Sequence, residues 1–408
     1  MPTNLLVWNI QNFTSNKFMP GGELVPVRDI NGRFVAAVDY NNIRKNYILN
    51  NIARSNAHVV VVIETISGRG VKGSLIQSAG SVGARSLLAQ IRTATNNANW
   101  WLVPPLKLVD ALQVQEIEDD DSGELNFMIQ AEGAYTEGIS VFYNSQQLTF
   151  NGPYYWPAST RPNTLPNDNP QKVAVALAGP TENYPAPWNN VLPAGNHRAG
   201  QYQYFDNNQA EILFPAVGSR RPFFTQFVEA GTGRIISLVS VHFPPNGASA
   251  GAALTSLSGY FRHHYAISPN EVILIAGDYN IDYLTDGIYL RHLDEDRFVP
   301  LLTGARTRMP TMYKRRGNAT ATDYLKPAGL DNIAVRYGSL GAVNPTTLQI
   351  LNRVGPAQNF EGLTYIPLEE ILKLPDPAQT DCFRSPQNYG YLGPAPGTSD
   401  HMGLALNF

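Results

Sequence analysis

The chain has a single cysteine, Cys382, among 408 residues. An internal disulfide and a cysteine-based zinc site are thereby excluded. The lone thiol reads as a small buried or loop residue, because no cysteine-protease context surrounds it. Charge is scarce too: charged residues make up 15%, the net charge is −3 and the pI is near 6.2. A module that grips nucleic acid by phosphate neutralisation alone is usually basic, so that class is disfavoured. A metal-using hydrolase is not, since carboxylates that hold a cation pull the balance acidic while a local basic patch still meets an anionic substrate. No window of about 18 apolar residues exists, which argues against a membrane-spanning helix. The start, MPTNLLVWNIQNF, lacks the basic region and long apolar run of a secretory signal. The expectation is a cytoplasmic protein without stable membrane association or an evident obligate protein partner, with signal-independent export left open.

What is present is apolar material for a sizeable core, 43% of residues, in a βα rhythm without internal repeats. Short apolar runs at Leu5 to Trp8, His58 to Ile63, Ile139 to Tyr143 and Glu271 to Ala276 read as strands. So do Asp331 to Val335 and His401 to Phe408. The HVVVVI run is β-branched from Val59 to Ile63, as in a strand covered on both faces. Arg221 to Val228 and Ile235 to Phe243, around GTGR, read as a hairpin. Helical spacing marks Asn41 to Ser55, a segment starting at Ser81 as N-cap, and Ala248 to Ala266. Hairpins mixed with βα units suggest an α/β sandwich of two sheets flanked by helices. Residues 151–220 and 338–397, punctuated by Pro and Gly, break the rhythm. They read as long insertions on one domain spanning residues 1–408.

Polar residues at the strand ends carry the chemistry. They are Asn9 in VWNIQNF, Glu64 in VVIET, His242 in SVHFPP, Asp278 and Asn280 in LIAGDYNID, and Asp400 and His401 in GTSDHMGL. Singly, each has a bland reading: a turn former, a solvated strand end, a structural histidine or a cap. Jointly, oxygen donors suited to a hard cation such as Mg²⁺ and imidazoles suited to acid/base work form a phosphate-ester hydrolysing set.

The ordered set WNIQN, IET, VHF, GDYN and SDH resembles the endonuclease/exonuclease/phosphatase superfamily, which includes DNase I, cytolethal distending toxin nuclease, inositol polyphosphate 5-phosphatases and bacterial sphingomyelinases. The resemblance implies a DNase I-like four-layered α/β sandwich, two packed mixed β-sheets flanked by helices, with long loop insertions. It implies a Mg²⁺-dependent hydrolase of phosphodiesters, with Mn²⁺ a possible substitute, and nucleic acid as substrate. An endonuclease on DNA or RNA is the first expectation; a phosphatase or phospholipid phosphodiesterase with the same metal centre is the alternative. Asn9 and Glu64 would hold the metal, and Asp400 would be a metal ligand or lie just behind one. Asp278 would orient or deprotonate water, and Asn280 would hydrogen-bond the scissile phosphate. His242 would contact the phosphate or serve as acid, and His401 would act as base or transition-state stabiliser. Asp331 in GLDNIAV would orient His401, and Glu137 in YTEGISVFYN would partner His242.

The chain also departs from particular branches. Abasic-site endonucleases generally have Tyr where His242 stands, and inositol phosphatases have a Pro-x-Trp-Cys-Asp-Arg stretch where this chain reads AGLDNIAV. DNase I has an arginine two residues past its metal glutamate, where this chain has Ile66, with Arg69 nearby. For substrate contacts, the basic cluster Arg306, Arg308, Lys314, Arg315 and Arg316 is the candidate. Tyr154, Tyr155, Trp156 and Arg161 are either stacking platforms or the packing of an insertion. The acidic run from Glu116 to Asp121 lacks an EF-hand pattern and reads as a solvated loop. His263 and His264 read as core-edge residues of a helix.

Overall fold

The run HVVVVI becomes the middle of a sheet, and its burial explains why. In the computed structural model Val59, Val61 and Ile63 join one apolar cluster while Val60 and Val62 join another, so the strand is covered on both faces. The structure describes residues 2–13, 24–28, 34–67, 82–103, 113–118, 125–130, 136–155, 171–172, 202–205, 211–214, 222–245, 247–263, 265–304, 311–315, 325–338, 347–351, 399 and 401–408.

The chain opens with β1 (Asn4–Phe13), β2 (Leu24–Arg28), β3 (Phe34–Asp39), α1 (Tyr40–Arg54), β4 (Val59–Ser67), α2 (Val82–Ala94) and β5 (Trp100–Leu102). It continues through β6 (Gln113–Glu118), β7 (Leu125–Gln130), β8 (Thr136–Asn144), β9 (Leu148–Tyr155), β10 (Gln171–Lys172), β11 (Tyr202–Phe205) and β12 (Glu211–Phe214). Next come β13 (Phe223–Glu229), β14 (Ile235–His242), α3 (Gly247–His263), β15 (Glu271–Asp278), α4 (Arg291–Glu295) and β16 (Val299–Pro300). The last strands are β17 (Met312–Arg315), β18 (Leu325–Ala328), β19 (Asp331–Tyr337), β20 (Thr347–Leu351) and β21 (Gly403–Asn407).

Two mixed sheets result. One has six strands in the order β20-β21-β1-β4-β8-β5, and the other seven in the order β10-β9-β13-β14-β15-β19-β16. β1 and β4 run parallel, as do β14 and β15, while the neighbours of each pair are antiparallel. The inner faces meet in one core: Leu5, Val7, Val61 and Val141 of the first sheet share a cluster with Leu238, Leu274 and Ile333 of the second. On the outer face of the first sheet, Leu6, Trp8, Val60 and Val62 pack on Ile48 and Ile52 of α1 and Leu87, Leu88 and Ile91 of α2. α3 buries Ala250, Leu254, Leu257 and Phe261 against the second sheet. Helices, sheet, sheet and helix make four layers.

The expected hairpin is present as β13 and β14, closed through Gly231 and Gly233, whose φ values of 85° and 69° suit glycine. α1 and α3 also fall where their spacing placed them; Ser81, the expected cap of α2, lies outside the described residues. The predicted insertions contain strand as well as loop. β9 runs on to Tyr155 in the seven-stranded sheet, β11 pairs with β12, and β20 edges the six-stranded sheet. The acidic run is likewise not wholly loop, because Glu116 and Glu118 lie on β6, paired with β7. Asp119 to Asp121, Trp156, Arg161, His264 and Cys382 lie outside the described residues. His263 is exposed near the end of α3 rather than at a core edge.

Candidate active site

Register alone lines up a row of polar residues. Parallel pairing sets His242, the last residue of β14, opposite Asp278, the last of β15. Antiparallel pairing sets Asp278 opposite Asp331, the first of β19. The first sheet brings Asn9 on β1, Glu64 on β4 and His401 just before β21 to the same place. All but Glu64 are buried.

The Oδ2 atom of Asp278 is the hub. The Asn9 amide donates to it at 3.1 Å, and the Nε2 atoms of His242 and His401 lie 3.5 and 3.6 Å away. Those two contacts are too long for direct hydrogen bonds and leave each imidazole close to the same oxygen. Asn9 also donates to Glu64 Oε1 at 2.9 Å, and His242 Nε2 is 3.9 Å from that oxygen. The Asp278 Oδ1 atom accepts the Asn280 backbone N–H at 2.9 Å, while the Asn280 amide donates to the Phe243 carbonyl at 2.7 Å. Behind His401, Nδ1 meets Asp331 Oδ2 at 2.8 Å, a hydrogen bond that fixes the imidazole tautomer.

Burial pushes the Asp278 carboxyl up. The imidazoles of His401 and His242, the Asn280 N–H and the Asn9 amide outweigh it, and the group lies below its ordinary value. Asp331 goes the other way: burial and the nearby Asp278 hold it above its ordinary value despite His401 and the Thr311 hydroxyl. Two buried carboxylates on either side of one imidazole are thus pushed apart, a pattern that separates a charged group from its support.

Two of the five non-glycine residues with positive φ among the described residues lie here. Glu64 has φ 60° and Asn280 φ 49°, rare for residues with side chains. The pairing of β4 with β8 slips between Val62 and Thr65, a bulge that re-aims Glu64. Gly277 (φ 150°) lets β14 and β15 approach closely, since a Cβ there would sit 2.0 Å from the Val241 carbonyl oxygen.

Of the remaining expected residues, Glu137 lies on β8 opposite Ile66, with its main chain alone described, so its pairing with His242 lies outside the described contacts. Asp400, Arg306, Arg308 and Arg316 also lie outside the described residues. Lys314 and Arg315 are on β17, whose first residue forms a bridge with His401.

Three supporting residues had no individual signal in the sequence. Thr311 accepts the Asp331 N–H at 3.0 Å. Ser399 donates to the Asn9 carbonyl at 2.6 Å and accepts the His401 N–H at 2.9 Å, and the Trp8 indole donates to the His401 carbonyl at 3.0 Å. Ser399 and Trp8 sit inside motifs already singled out, SDH and VWN; Thr311 stands 20 residues from the Asp331 it serves.

No family model matches the chain, and no curated protein sequence matches it. Solved structures do. An endonuclease/exonuclease/phosphatase family protein from Leptotrichia buccalis is 10% identical, with 99% of this chain and 98% of that one covered and a TM-score of 0.46. D. rerio TDP2 complexed with a single-strand DNA product is 11% identical, with 100% and 98% covered and a TM-score of 0.41. A mannosyl-6-phosphatase from Bacteroides thetaiotaomicron is 10% identical, with 99% and 98% covered and a TM-score of 0.40. The strand orders and the two-sided covering of the sheets stand independently of these likenesses. The fold is a four-layered α/β sandwich of two packed mixed sheets flanked by helices.

Proposed function

We propose that this chain is a divalent-metal-dependent hydrolase of the endonuclease/exonuclease/phosphatase superfamily, built on one domain, that cleaves phosphodiester bonds in nucleic acid. The observation that carries this reading is the convergence on Asp278 Oδ2 of the Asn9 amide and two imidazoles, with Asp331 behind one of them.

The donor chemistry fits a hard cation. Glu64 offers oxygens only, Asn9 has an amide oxygen besides the N–H groups it donates to Glu64 and Asp278, and Glu64 is partly exposed, as Mg²⁺ requires if it is to keep several waters. Asp400 belongs to the same proposed ligand set. Asp278, Asp331 and His401 also lie close enough to share an ion, their ligand atoms all within 4.8 Å of one another. That trio is better read as a proton-handling unit. All three are buried, and the 2.8 Å Asp331–His401 contact already uses Nδ1. When bound, Mg²⁺ or Mn²⁺ would stabilise negative charge developing on the phosphate.

The chain's own groups supply the rest. Asp278, held ionised, orients a water and accepts its proton. Asp331 keeps the proton of His401 on Nδ1, so Nε2 faces the reacting phosphate as a base or, once protonated, as a stabilising cation. His242, on the other side of Asp278, contacts the phosphate or protonates the leaving oxygen. One Asn280 amide hydrogen is committed to Phe243, and a primary amide has a second to donate to a phosphate oxygen.

Nucleic acid is favoured by the β17–β18 hairpin. It leaves the site beside Thr311 and returns to it just before Asp331, carrying Lys314 and Arg315, with Lys326 in register opposite Lys314. These basic residues would meet phosphates flanking the scissile one. Arg306, Arg308 and Arg316 complete the proposed contact set.

The test is a panel of plasmid, single-stranded DNA and RNA, phosphoinositides, sphingomyelin and sugar phosphates, with Mg²⁺, with Mn²⁺ and with EDTA. Cleavage of nucleic acid that EDTA abolishes is the expected result. Intact nucleic acid alongside a hydrolysed lipid or sugar phosphate would move the chain to the phosphatase and phospholipase branch. No turnover of any substrate would end the enzymatic reading.

A further inference from the structure

β1 and β21 pair as an antiparallel ladder from Asn4 opposite Asn407 to Val7 opposite Leu404, and the ladder stops there. Beyond it lie Trp8 and Asn9 on β1 and, past Gly403 and Met402, His401 ahead of β21, which the site needs in fixed relation. Side chains continue the connection where the backbone does not. The Trp8 indole donates to the His401 carbonyl at 3.0 Å. The Ser399 hydroxyl, fully buried, donates to the Asn9 carbonyl at 2.6 Å and accepts the His401 N–H at 2.9 Å. Both backbone groups of His401 are thus tied to two adjacent residues of β1, one of which presents its amide to Asp278 and Glu64. The Trp8 ring lies over Gly403, where an added Cβ would stand 3.5 Å from it, so packing also holds the indole in place.

We propose that Ser399 and Trp8 are positioning residues, which lock the backbone of His401 to the Asn9 strand so that the imidazole and Asp278 keep their separation when substrate binds. Asp331 fixes the rotation of the ring; Ser399 and Trp8 fix the peptide that carries it. The inference rests on the reading of His401 as a reacting group. Placement errors of about 1 Å cost roughly a hundredfold in rate, and the β1–β21 ladder ends at Val7 and Leu404, before Asn9 and His401.

The test uses the full chain and the variants Ser399→Ala and Trp8→Phe, the second of which keeps an aromatic ring over Gly403. In each, kcat on a cleavable substrate should fall about 10- to 100-fold with KM changed much less, the range seen when outer partners of site residues are removed. Amide hydrogen exchange should accelerate at His401 in both variants while Val7 and Leu404 keep their protection. Unchanged kcat in both variants, or a loss entirely in KM, overturns the proposal. So does unchanged exchange at His401, a readout that holds even if the wild-type chain proves inactive on every phosphoester. In that last case the functional reading fails, and the exchange data still decide whether the lock exists.

Discussion

Replacing Gly277 by alanine tests whether the close approach of β14 and β15 sets the site. Gly277 precedes Asp278 and pairs with Val241, the residue before His242, and with Asn332, the residue after Asp331. An alanine Cβ would lie 2.0 Å from the Val241 oxygen, 2.9 Å from its carbonyl carbon and 3.0 Å from its nitrogen. Ordinary contact starts at 3.4 Å, so backbone must give way by more than 1 Å where neighbouring strands hold it. The φ of 150° adds strain of about 1–3 kcal/mol for a residue with a side chain. Overpacking adds about 1–3 kcal/mol more. A loss of about 2–6 kcal/mol is a large share of the roughly 5–15 kcal/mol that holds a typical domain together. Surviving folded protein would have His242 displaced from Asp278, at a cost on the order of a hundredfold in kcat. Urea unfolding measures the first effect, and turnover per folded molecule the second. A Gly277→Ala protein with wild-type midpoint and wild-type kcat would refute the argument for both.

Asp331→Asn removes the charge that fixes the Nδ1–H tautomer of His401 and should lower kcat about 10- to 100-fold or more at saturating metal; unchanged kcat would remove Asp331 from the mechanism. Lys314→Ala should weaken nucleic-acid cleavage across sequences and reduce the slope of log(kcat/KM) against log salt by about 1; an unaltered slope would detach the β17–β18 hairpin from the substrate. Glu229 gives a pH dependence of stability. Burial raises its carboxyl, but the Thr232 and Thr3 hydroxyls and Arg234, at 2.9 Å, outweigh that and hold it below its ordinary value. A depressed carboxyl stabilises the fold above its unfolded pKa, and the benefit disappears as pH falls through the folded value. The stability gap between wild type and Glu229→Gln should therefore narrow on acidification; a gap independent of pH in urea titrations would contradict this.

Local pattern carried the fold a long way because most site residues end apolar strands. Val59 to Ile63 and Val272 to Ala276 are uninterrupted apolar runs, buried along their length, and have few other solutions. What one-dimensional pattern cannot contain is curvature and long-range contact. GDYN reads locally as a turn, yet the strand runs through Gly277 to Asp278, because pairing on both sides outweighs the turn preference. The aim of Glu64 comes from a φ of 60° and a slip between β4 and β8, neither visible in VVIET. Thr311 and Ser399 look like ordinary loop residues until the fold sets one beside Asp331 and the other beside Asn9. β20 escaped notice within a stretch punctuated by Pro and Gly, since an edge strand has only one paired side to shape its sequence.

The acidic balance of the chain and its proposed anionic substrate are reconciled by where the charges sit. Glu64, Asp278 and Asp331 crowd one end of the sandwich with two imidazoles, and burial alone drives Asp278 and Asp331 toward their neutral forms. The imidazoles outweigh burial at Asp278 and bring it below its ordinary value, whereas at Asp331 burial and the Asp278 charge outweigh His401 and leave it above its ordinary value. The centre is therefore short of positive charge, and a divalent cation beside Asn9 and Glu64 would correct the deficit while turning the local field attractive to phosphate. Removing one member of this balance should disturb the others: without Glu64, cation affinity falls and Asp278 loses a competitor for the imidazole of His242, 3.9 Å from Glu64 and 3.5 Å from Asp278. In the proposed reaction an anionic substrate would depend on the basic hairpin for approach and on the cation for catalysis, so net charge by itself says little about the ligand.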